Sequence, residues 1–342
     1  MSSGLWDFLN LLRCFSFPRL LNYLKVFVSF YWSKWTGKAS IWGDPISISI
    51  EPTTACNLGC PECPSGLKQF TRPEGNLKEG FLTDVFAQLK SSLFYATFYF
   101  QGEPFIHPQF LDLIQEAKKR KLYTATSTNA HFLNDVQAKK TVESGLDRLI
   151  ISIDGTTQET YEKYRVNGKL DKVIEGTKNI IRWKKELKSR TPYIIFQFLV
   201  VSHNEHQTEE VKQLGKELGV DEVKFKTAQL YDYENGNALM PKNEKFSRYK
   251  LGSNGKYQIK NPLDNQCWRM WQGCVLTWDG LVVPCCFDKD AKHQMGDLKI
   301  ESFNDVWNSE GYNRFRSAIL KSRSEIDICT NCTEGTKVWE DV

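Results

Sequence analysis

Three features are missing from this chain, and each absence removes a class of explanation. No uninterrupted apolar run is long enough to span a bilayer, so no transmembrane segment is expected. The N-terminus does not combine a compact basic start, a clean apolar stretch and a small-residue cleavage site, so secretion is not expected and a cytoplasmic setting is. No basic surplus runs through the body of the protein either. Of its 45 Lys and Arg and 41 Asp and Glu, residues 1–40 hold five cations and one acid, Asp7, which leaves 40 against 40 elsewhere. A broad nucleic-acid-binding face would need that surplus, so nucleic acid is not an expected partner. Internal repeats and low-complexity tracts are absent as well.

Cysteine is what the chain has in excess. Its 10 cysteines fall at 56/60/63, at 267/274/285/286 and at 329/332, with Cys14 apart. Short spacings in a reduced compartment read as metal ligands rather than disulfide staples.

From about residue 45 a regular alternation begins. Apolar, β-branched or aromatic runs at 46–50, 96–100, 122–127, 148–153, 193–200 and 222–226 predict strands. Helical patterns fill the gaps at 79–91, 108–120, 134–144, 170–187 and 206–218. Strands separated by helices imply parallel pairing with right-handed crossovers. The expected fold class is therefore α/β, a partial (β/α)6 TIM barrel over residues 45–230. Its chemistry belongs at the mouth where strands end. Residues 231–262, rich in Asn, Gly, Lys and Tyr, read as a linker. Residues 263–342 read as a small domain made of a hairpin, a helix and the last cysteines. The hairpin turns at Asp279-Gly280 between 275–278 and 281–284, and the helix covers about 303–320.

Residues 1–44 form an amphipathic N-terminal segment. Arg19, Asn22, Lys25, Ser29 and Ser33 recur at steps of three or four, and the remaining positions of 19–35 are mostly Leu, Val, Phe, Tyr and Trp. As a helix this gives a narrow polar stripe and a wide aromatic-rich face. Such a face suits a membrane interface, with the cations near anionic lipid, or packing against the main domain.

The first strand runs directly into Glu51-Pro-Thr-Thr-Ala-Cys56-Asn-Leu-Gly-Cys60-Pro-Glu-Cys63-Pro. Three thiolates spaced C-x3-C-x2-C on one short loop can hold three irons of a cubane cluster and leave the fourth open to a small molecule. A structural zinc site wants a fourth Cys or His, and residues 40–80 offer none. Spacing alone leaves cluster and zinc as alternatives. The position at the end of a barrel strand favours the cluster.

At these residues, and at later strand ends, the chain resembles the radical S-adenosylmethionine superfamily. The resemblance implies that Cys56, Cys60 and Cys63 ligate a [4Fe-4S] cluster whose open iron takes the amino and carboxylate groups of S-adenosylmethionine. An electron from the cluster would then split the C–S bond, giving methionine and a 5′-deoxyadenosyl radical. Gln101-Gly102-Glu103-Pro104 stands where the family has Gly-Gly-Glu-Pro, so Gly102 and Glu103 would meet the cofactor's ammonium. Ser127 and Asn129, with Ser152 and Asp154, resemble the family's ribose contacts, and Arg165 resembles an arginine that pairs with the cofactor carboxylate. Two departures are Gln101 in place of a glycine and Glu62 in place of an aromatic, so adenine contacts there would come from backbone groups. The resemblance also implies a reducing partner of flavodoxin or ferredoxin type.

The C-terminal cysteines resemble the family's auxiliary-cluster extensions, the SPASM and twitch domains, through Gly280-x4-Cys285 and the final C-x2-C. Two further four-cysteine clusters would need eight thiolates and six are present. The expectation is therefore one auxiliary [4Fe-4S] cluster on Cys267, Cys285, Cys329 and Cys332, with a zinc ribbon on the same residues as the alternative. Cys274 reads as a buried apolar residue, Cys286 as an alternative ligand to Cys285, and Cys14 as a core residue.

This layout is similar to that of an aminocyclitol dehydrogenase and of enzymes that oxidise or crosslink ribosomal peptides. It implies hydrogen abstraction from a substrate C–H bond, with the auxiliary cluster accepting an electron in a net oxidation. Residues 1–45 are too few for the winged-helix peptide-recognition domain common in peptide maturases, which turns the expectation toward a small molecule, glycan or lipid. Some relatives carry an aspartate directly after the hairpin cysteine. Here Cys286 stands there and Asp288 is out of position, so alcohol oxidation stays open. The alternatives are a peptide maturase and a non-catalytic iron–sulfur or zinc assembly protein.

Overall fold

The six apolar runs become six parallel strands: β1 (Ser47–Ile50), β2 (Tyr95–Thr97), β3 (Tyr123–Thr128), β4 (Arg148–Ser152), β5 (Tyr193–Val200) and β6 (Glu222–Thr227). The computed structural model describes residues 3–89, 92–261, 263–333 and 339–340. Each of the six strands pairs in parallel with the next in chain order. β2 is the one that falls clearly short of its apolar run. It ends at Thr97, although Phe98 beyond it stays fully buried.

Helices cover the outer face at Phe81–Gln88, Phe110–Lys119, Asp135–Glu143, Leu170–Glu186 and Thr208–Leu218. The expected helix over 79–91 has its last two positions outside the described residues. Local chemistry sets the ends: the Asn134 side chain accepts from Gln137 N at 3.0 Å. Gly219, at φ +82°, ends the fifth helix with its N–H on the Gly215 carbonyl. Ile114, Ala117, Val173 and Ile180 face the strands and have no exposed surface, as do Ile50, Ala96, Ile151 and Phe198 opposite. This is the packing that fixes the strand ends in one plane.

The C-terminal region departs from the expectation of a linker followed by a separate unit. Within residues 231–262 a hairpin forms from β7 (Tyr249–Leu251) and β8 (Tyr257–Ile259). It is anchored: Tyr249 is buried, stacks on Tyr233 at 4.4 Å and donates from its hydroxyl to Asn331 Oδ1 at 2.8 Å. The next hairpin, β9 (Gly273–Leu276) and β10 (Leu281–Val283), continues the barrel sheet, because β9 pairs in parallel with the free edge of β1. Gly273 permits that approach, since a Cβ there would lie 2.0 Å from the Ser47 carbonyl oxygen. With β11 (Gly296–Asp297) beside β10 and β12 (Trp339–Glu340) antiparallel to β6, one sheet of ten strands results. The helix expected over 303–320 is two, Phe303–Asn308 and Glu310–Ser322, divided at Ser309, whose side chain accepts from Tyr312 N.

Two N-terminal helices, α1 (Ser3–Leu12) and α2 (Phe17–Thr36), close the floor of the barrel, where the strands begin. Asp7 accepts from Tyr123 at the start of β3 and from Arg148 at the start of β4, and Phe15 packs on Phe94 just before β2. Among the described residues no helix is long and apolar enough to cross a membrane.

Candidate active site

The first cysteine loop leaves β1 at the mouth and is held from both sides. Gly102, at φ +73°, lets the end of β2 pass under it. A Cβ there would lie 2.3 Å from the Thr53 carbonyl oxygen. The residue that departs from the family pattern makes a link of its own: Gln101 accepts from Ser65 Oγ at 3.4 Å, and Ser65 accepts from Gly102 N at 2.9 Å. Glu51, fully buried, pairs with Arg72, which carries the segment after the cysteines back onto the β9–β10 hairpin. Burial raises the Glu51 carboxyl above its ordinary range, and the Arg72 hydrogen bonds oppose the rise.

Cys56, Cys60 and Cys63 line a cleft of about 290 Å³. Lining the same cleft are Gly102, Glu103, Ser127, Asn129 and Ser152, from the ends of β2, β3 and β4 or the loops after them, and Arg165, which ends the helix Gln158–Tyr164 that follows β4. Glu103 is 3% exposed, and its carboxylate accepts from Thr128 Oγ1 at 2.7 Å, Asn129 N at 2.7 Å and Phe105 N at 3.2 Å. Burial pushes it up to about 7 against those hydrogen bonds. All three bonds come from neutral groups, so a cation entering the cleft meets a carboxylate with no ion pair among the described residues. That donor set fits the ammonium of an amino acid moiety, and the three thiols beside it, Cys60 buried and Cys56 and Cys63 half-buried, fit a cluster with an open iron.

Asp154 is the exception among the expected cofactor contacts. It is fully buried behind the cleft, where it accepts from Leu199 N at 2.7 Å and from Arg165 Nε. Its side chain positions Arg165, whose Nη1 comes to 3.6 Å from Cys60 Sγ. Burial works against the Arg165 charge, but Asp154 and Cys60 outweigh it and hold the guanidinium well above its ordinary range. Glu62 accepts from Tyr231 N at 3.0 Å and so fastens the cysteine loop to the segment after β6.

Several lining residues escaped the sequence reading. Gln197 is the one polar side chain in β5, Tyr-Ile-Ile-Phe-Gln-Phe-Leu-Val, and that break in an apolar run was its signal. Arg248 lies in the segment read as linker, yet its Nε donates to the Thr227 carbonyl at 3.0 Å and the residue lines the cleft. Lys289 lines it too, donating to the Tyr231 hydroxyl at 2.7 Å.

The second cysteine set converges from three parts of the C-terminal region. Cys267 precedes the helix Arg269–Gln272, Cys285 follows β10, Cys329 lies in the short helix Asp327–Thr330 and Cys332 just after it. Arg323, 2% exposed, donates to Cys332 Sγ at 3.1 Å and to the Gln266 carbonyl at 3.1 Å. Burial lowers its basicity, but the charges of Cys332, Cys267 and Cys329 raise it by more. Cys285 is pushed well above its ordinary range, first by burial and then by Cys286, Cys267 and Cys332. Cys267 is thus electrostatically linked to Cys285 and to Cys329, and Cys332 to Cys285, with Arg323 facing three of the four. Among the described residues no three His, Cys, Asp or Glu side chains crowd round a single point as one ion would need. A cubane asks for a wider arrangement, since each thiolate holds a different iron.

The remaining cysteines have other surroundings. Cys274 is buried in β9 opposite Ile48, Cys286 packs against the cluster of Val275, Val283 and Ala291, and Cys14 is buried near Asn10. All ten are free thiols. Asp288 caps a turn by accepting from Lys292 N and His293 N at 2.8 and 2.9 Å.

A second cavity, of about 710 Å³, adjoins the first and shares Gln229 and Lys289 with it. It runs from Pro64, next to Cys63, to Ile328, Thr330 and Asn331 beside Cys329 and Cys332. Tyr231, Tyr233 and Phe287 supply apolar wall, and Asp290 and Lys292 supply charge.

Comparison with known proteins agrees with this arrangement. A family model for the radical SAM superfamily matches residues 50–195, and one for SPASM, an iron-sulfur cluster-binding domain, matches residues 267–333. A cofactor-modifying protein of the tungsten-containing aldehyde ferredoxin oxidoreductase of Pyrococcus furiosus is 27% identical over 316 residues, 83% of this chain and 86% of that one. Among solved structures, Streptococcus suis SuiB bound to S-adenosylmethionine superposes with a TM-score of 0.62 at 14% identity, over 90% of this chain and 75% of that one. The anSMEcpe structure with bound AdoMet gives 0.61 at 17% identity, over 86% and 88%. BtrN in complex with AdoMet and 2-DOIA gives 0.51 at 15% identity, over 85% and 94%. At these identities the structural likeness concerns the fold.

Proposed function

The chain belongs to the radical SAM superfamily and carries a SPASM iron–sulfur domain, and from that premise we propose that it oxidises a substrate C–H bond with two clusters in relay. Its cofactors are a [4Fe-4S] cluster that binds S-adenosylmethionine and an auxiliary [4Fe-4S] cluster. Cys56, Cys60 and Cys63 would hold the first, and Cys267, Cys285, Cys329 and Cys332 the second. When bound, the first cluster supplies the electron that cleaves S-adenosylmethionine and so provides the hydrogen-abstracting radical.

The protein's own part is placement. Glu103 would receive the cofactor ammonium, Gly102 keeps the backbone close enough to do so, and Arg165, steered by Asp154, would face the carboxylate. Ser127, Asn129 and Ser152 would orient the ribose. Residues 45–230 would act as the core domain and 263–342 as the auxiliary one.

One observation supports the relay: the larger cavity runs between residues that flank the two cysteine sets, from Pro64 after Cys63 to Ile328, Thr330 and Asn331 around Cys329 and Cys332. A substrate lying there would lose a hydrogen atom at the mouth, and the radical left behind would then release an electron to the second cluster and a proton to water. The Pyrococcus furiosus relative is named for modifying a cofactor, which favours a small molecule, with a glycan or lipid as further classes. A peptide is the second reading, since structures of the same fold hold peptides, among them SuiB with its precursor peptide SuiA. Other partners would be a flavodoxin- or ferredoxin-like donor and, through the N-terminal helices, the cytoplasmic face of a membrane.

The test uses deuterated candidate substrates with reductant and S-adenosylmethionine under anaerobic conditions. Deuterium should appear in 5′-deoxyadenosine. A variant lacking Cys329 and Cys332 should still cleave S-adenosylmethionine yet release no oxidised product. Full oxidation by that variant would remove the relay.

A further inference from the structure

Helix α2 is built inside out for a protein in water. Its inward positions include Arg19, Asn22, Val26, Ser29 and Ser33, a stripe at steps of three and four that is mostly polar, flanked by Tyr23 and Phe30, which pack on Trp268 and Trp271. Val26 holds the place that periodicity gave to Lys25, which is exposed. The polar members bond to backbone along the barrel floor. Arg19 donates to the Arg120 and Lys121 carbonyls at 2.8 Å each, and Asn22 exchanges two hydrogen bonds with the Asp44 backbone at 2.8 and 2.9 Å. Ser33 accepts from Ser40 N at 2.9 Å. The outward side carries Phe17, Leu20, Leu24, Val28, Trp32 and Trp35, with Phe17 72% and Trp35 79% exposed.

Helix α1 repeats the arrangement. Asp7 is buried against Tyr123 and Arg148, and Asn10 donates to Asp147 at 2.8 Å, while Leu5, Phe8, Leu9 and Leu12 face out. Among the described residues most of the exposed large apolar side chains therefore lie on these two helices. Soluble monomers rarely leave so large a patch in water.

Charge identifies what covers it. Arg13, Lys25, Lys34 and Lys38 are exposed there, whereas the single acid of residues 1–40, Asp7, is internal and paired. Lys34 reaches over the rings of Phe30 and Tyr31 at 5.6 and 5.5 Å. Trp32 clusters with Trp35 and Trp42 at 5.4 and 6.1 Å between centroids. Tryptophans and cations bordering aliphatic side chains suit the boundary between headgroups and acyl chains.

We propose that the outward face of α1 and α2 docks on an anionic lipid bilayer and holds the barrel floor-down, with its mouth toward water. This gives residues and an orientation to the membrane contact named above, and it does not depend on the catalytic reading. The orientation follows because α1 touches strand beginnings at Tyr123 and Arg148, Phe15 between the helices packs on Phe94, and Arg19 of α2 meets the carbonyls just before β3, while the cleft lies at strand ends. A six-residue strand such as β3 separates the two by roughly 20 Å. A reactive group buried among acyl chains could not reach Glu103 in that pose. The substrate would arrive from the aqueous side, free or at the far end of a long headgroup.

The test sediments anaerobically prepared holoprotein with vesicles of phosphatidylglycerol and phosphatidylethanolamine, or of phosphatidylcholine alone. The wild type should pellet with the anionic vesicles and lose affinity as salt rises. Lys25→Glu, Lys34→Glu and Lys38→Glu together should weaken partition by about a hundredfold or more. Phe17→Ser, Trp32→Ser and Trp35→Ser together should leave the protein soluble, with an unchanged thermal unfolding curve. Vesicle-bound enzyme should cleave added S-adenosylmethionine as fast as free enzyme. Wild type that stays in the supernatant overturns the proposal. So does a dimer that the serine variant converts to monomer without vesicle binding, since a second copy would then cover the face. Vesicle-bound enzyme that has lost the cleavage shown by free enzyme overturns the orientation.

Discussion

Asp154 and Arg165 form a buried ion pair directly behind the first cysteine loop, with the Arg165 Nη1 3.6 Å from the sulfur of Cys60. The carboxylate also accepts from Leu199 N on β5, so the guanidinium is fixed to two strands at once. Asp154→Asn keeps an acceptor for Leu199 but removes the anion. Leaving a buried charge without its partner should lower folding stability by about 3 kcal/mol. Denaturant titration should show that loss. Anaerobic equilibrium dialysis should show S-adenosylmethionine binding about tenfold weaker or more, with iron content unchanged. Loss of iron instead would mean that Arg165 secures the loop and not the cofactor.

Glu103 predicts a pH dependence with a definite sign. Its carboxyl is raised from an ordinary value of 4.5 to about 7, so the folded protein holds a proton that the unfolded chain releases between those values. Stability from this group is complete below 4.5 and is lost as pH rises through 7. Binding of an ammonium runs the other way, because it needs the ionised form. Affinity for S-adenosylmethionine should fall as pH drops below 7, by up to about tenfold per unit. Glu103→Gln should bind weakly with no such slope, as titration calorimetry across pH 6 to 8 would record.

Glu51 and Arg72 make a different kind of pair, one that ties the cysteine loop to the β9–β10 hairpin. Arg72→Ala leaves Glu51 buried without a cation and should cost about 3–5 kcal/mol. The double variant Glu51→Gln, Arg72→Met should recover much of that loss, since no charge is then stranded. Thermal or denaturant unfolding of both variants decides the point.

Gly102 is held to glycine by geometry. In Gly102→Ala the new methyl would fall 2.3 Å from the Thr53 carbonyl oxygen at a φ of +73°, so the loop before Cys56 must move. The expected result is about 2 kcal/mol or more of destabilisation and a lower iron content after reconstitution. Measured stability and iron equal to wild type would show that the loop yields freely.

The alternation of apolar runs and helical patterns located the six barrel strands closely, because burial on both faces leaves an unmistakable apolar signature. The cleft residues at their ends were legible through the family resemblance, since Ser127, Asn129 and Ser152 stand at its ribose-contacting positions at the ends of β3 and β4. Partnerships made across long sequence distances were not legible. Nothing local to Gly273 shows that β9 will lie along β1, and nothing local to Asp154 shows that Arg165 will claim its carboxylate. Residues 231–262 looked like a linker because Asn, Gly and Lys dominate them, yet Tyr249 and Arg248 are buried there. In α2, periodicity revealed two faces but not which one turns inward. Only the backbone carbonyls at Arg120 and Lys121 explain why the polar stripe does.

The central claim is that the thiolates after β1 hold the cluster that cleaves S-adenosylmethionine, while a second cluster sits independently in the C-terminal region. Anaerobic protein should contain about eight irons, four per cubane, and with dithionite and S-adenosylmethionine should release methionine and 5′-deoxyadenosine. Replacing Cys56, Cys60 and Cys63 together by alanine should leave about four irons and no cleavage. Undiminished cleavage by that triple variant, or an intact triple variant with no iron at all, would contradict the account.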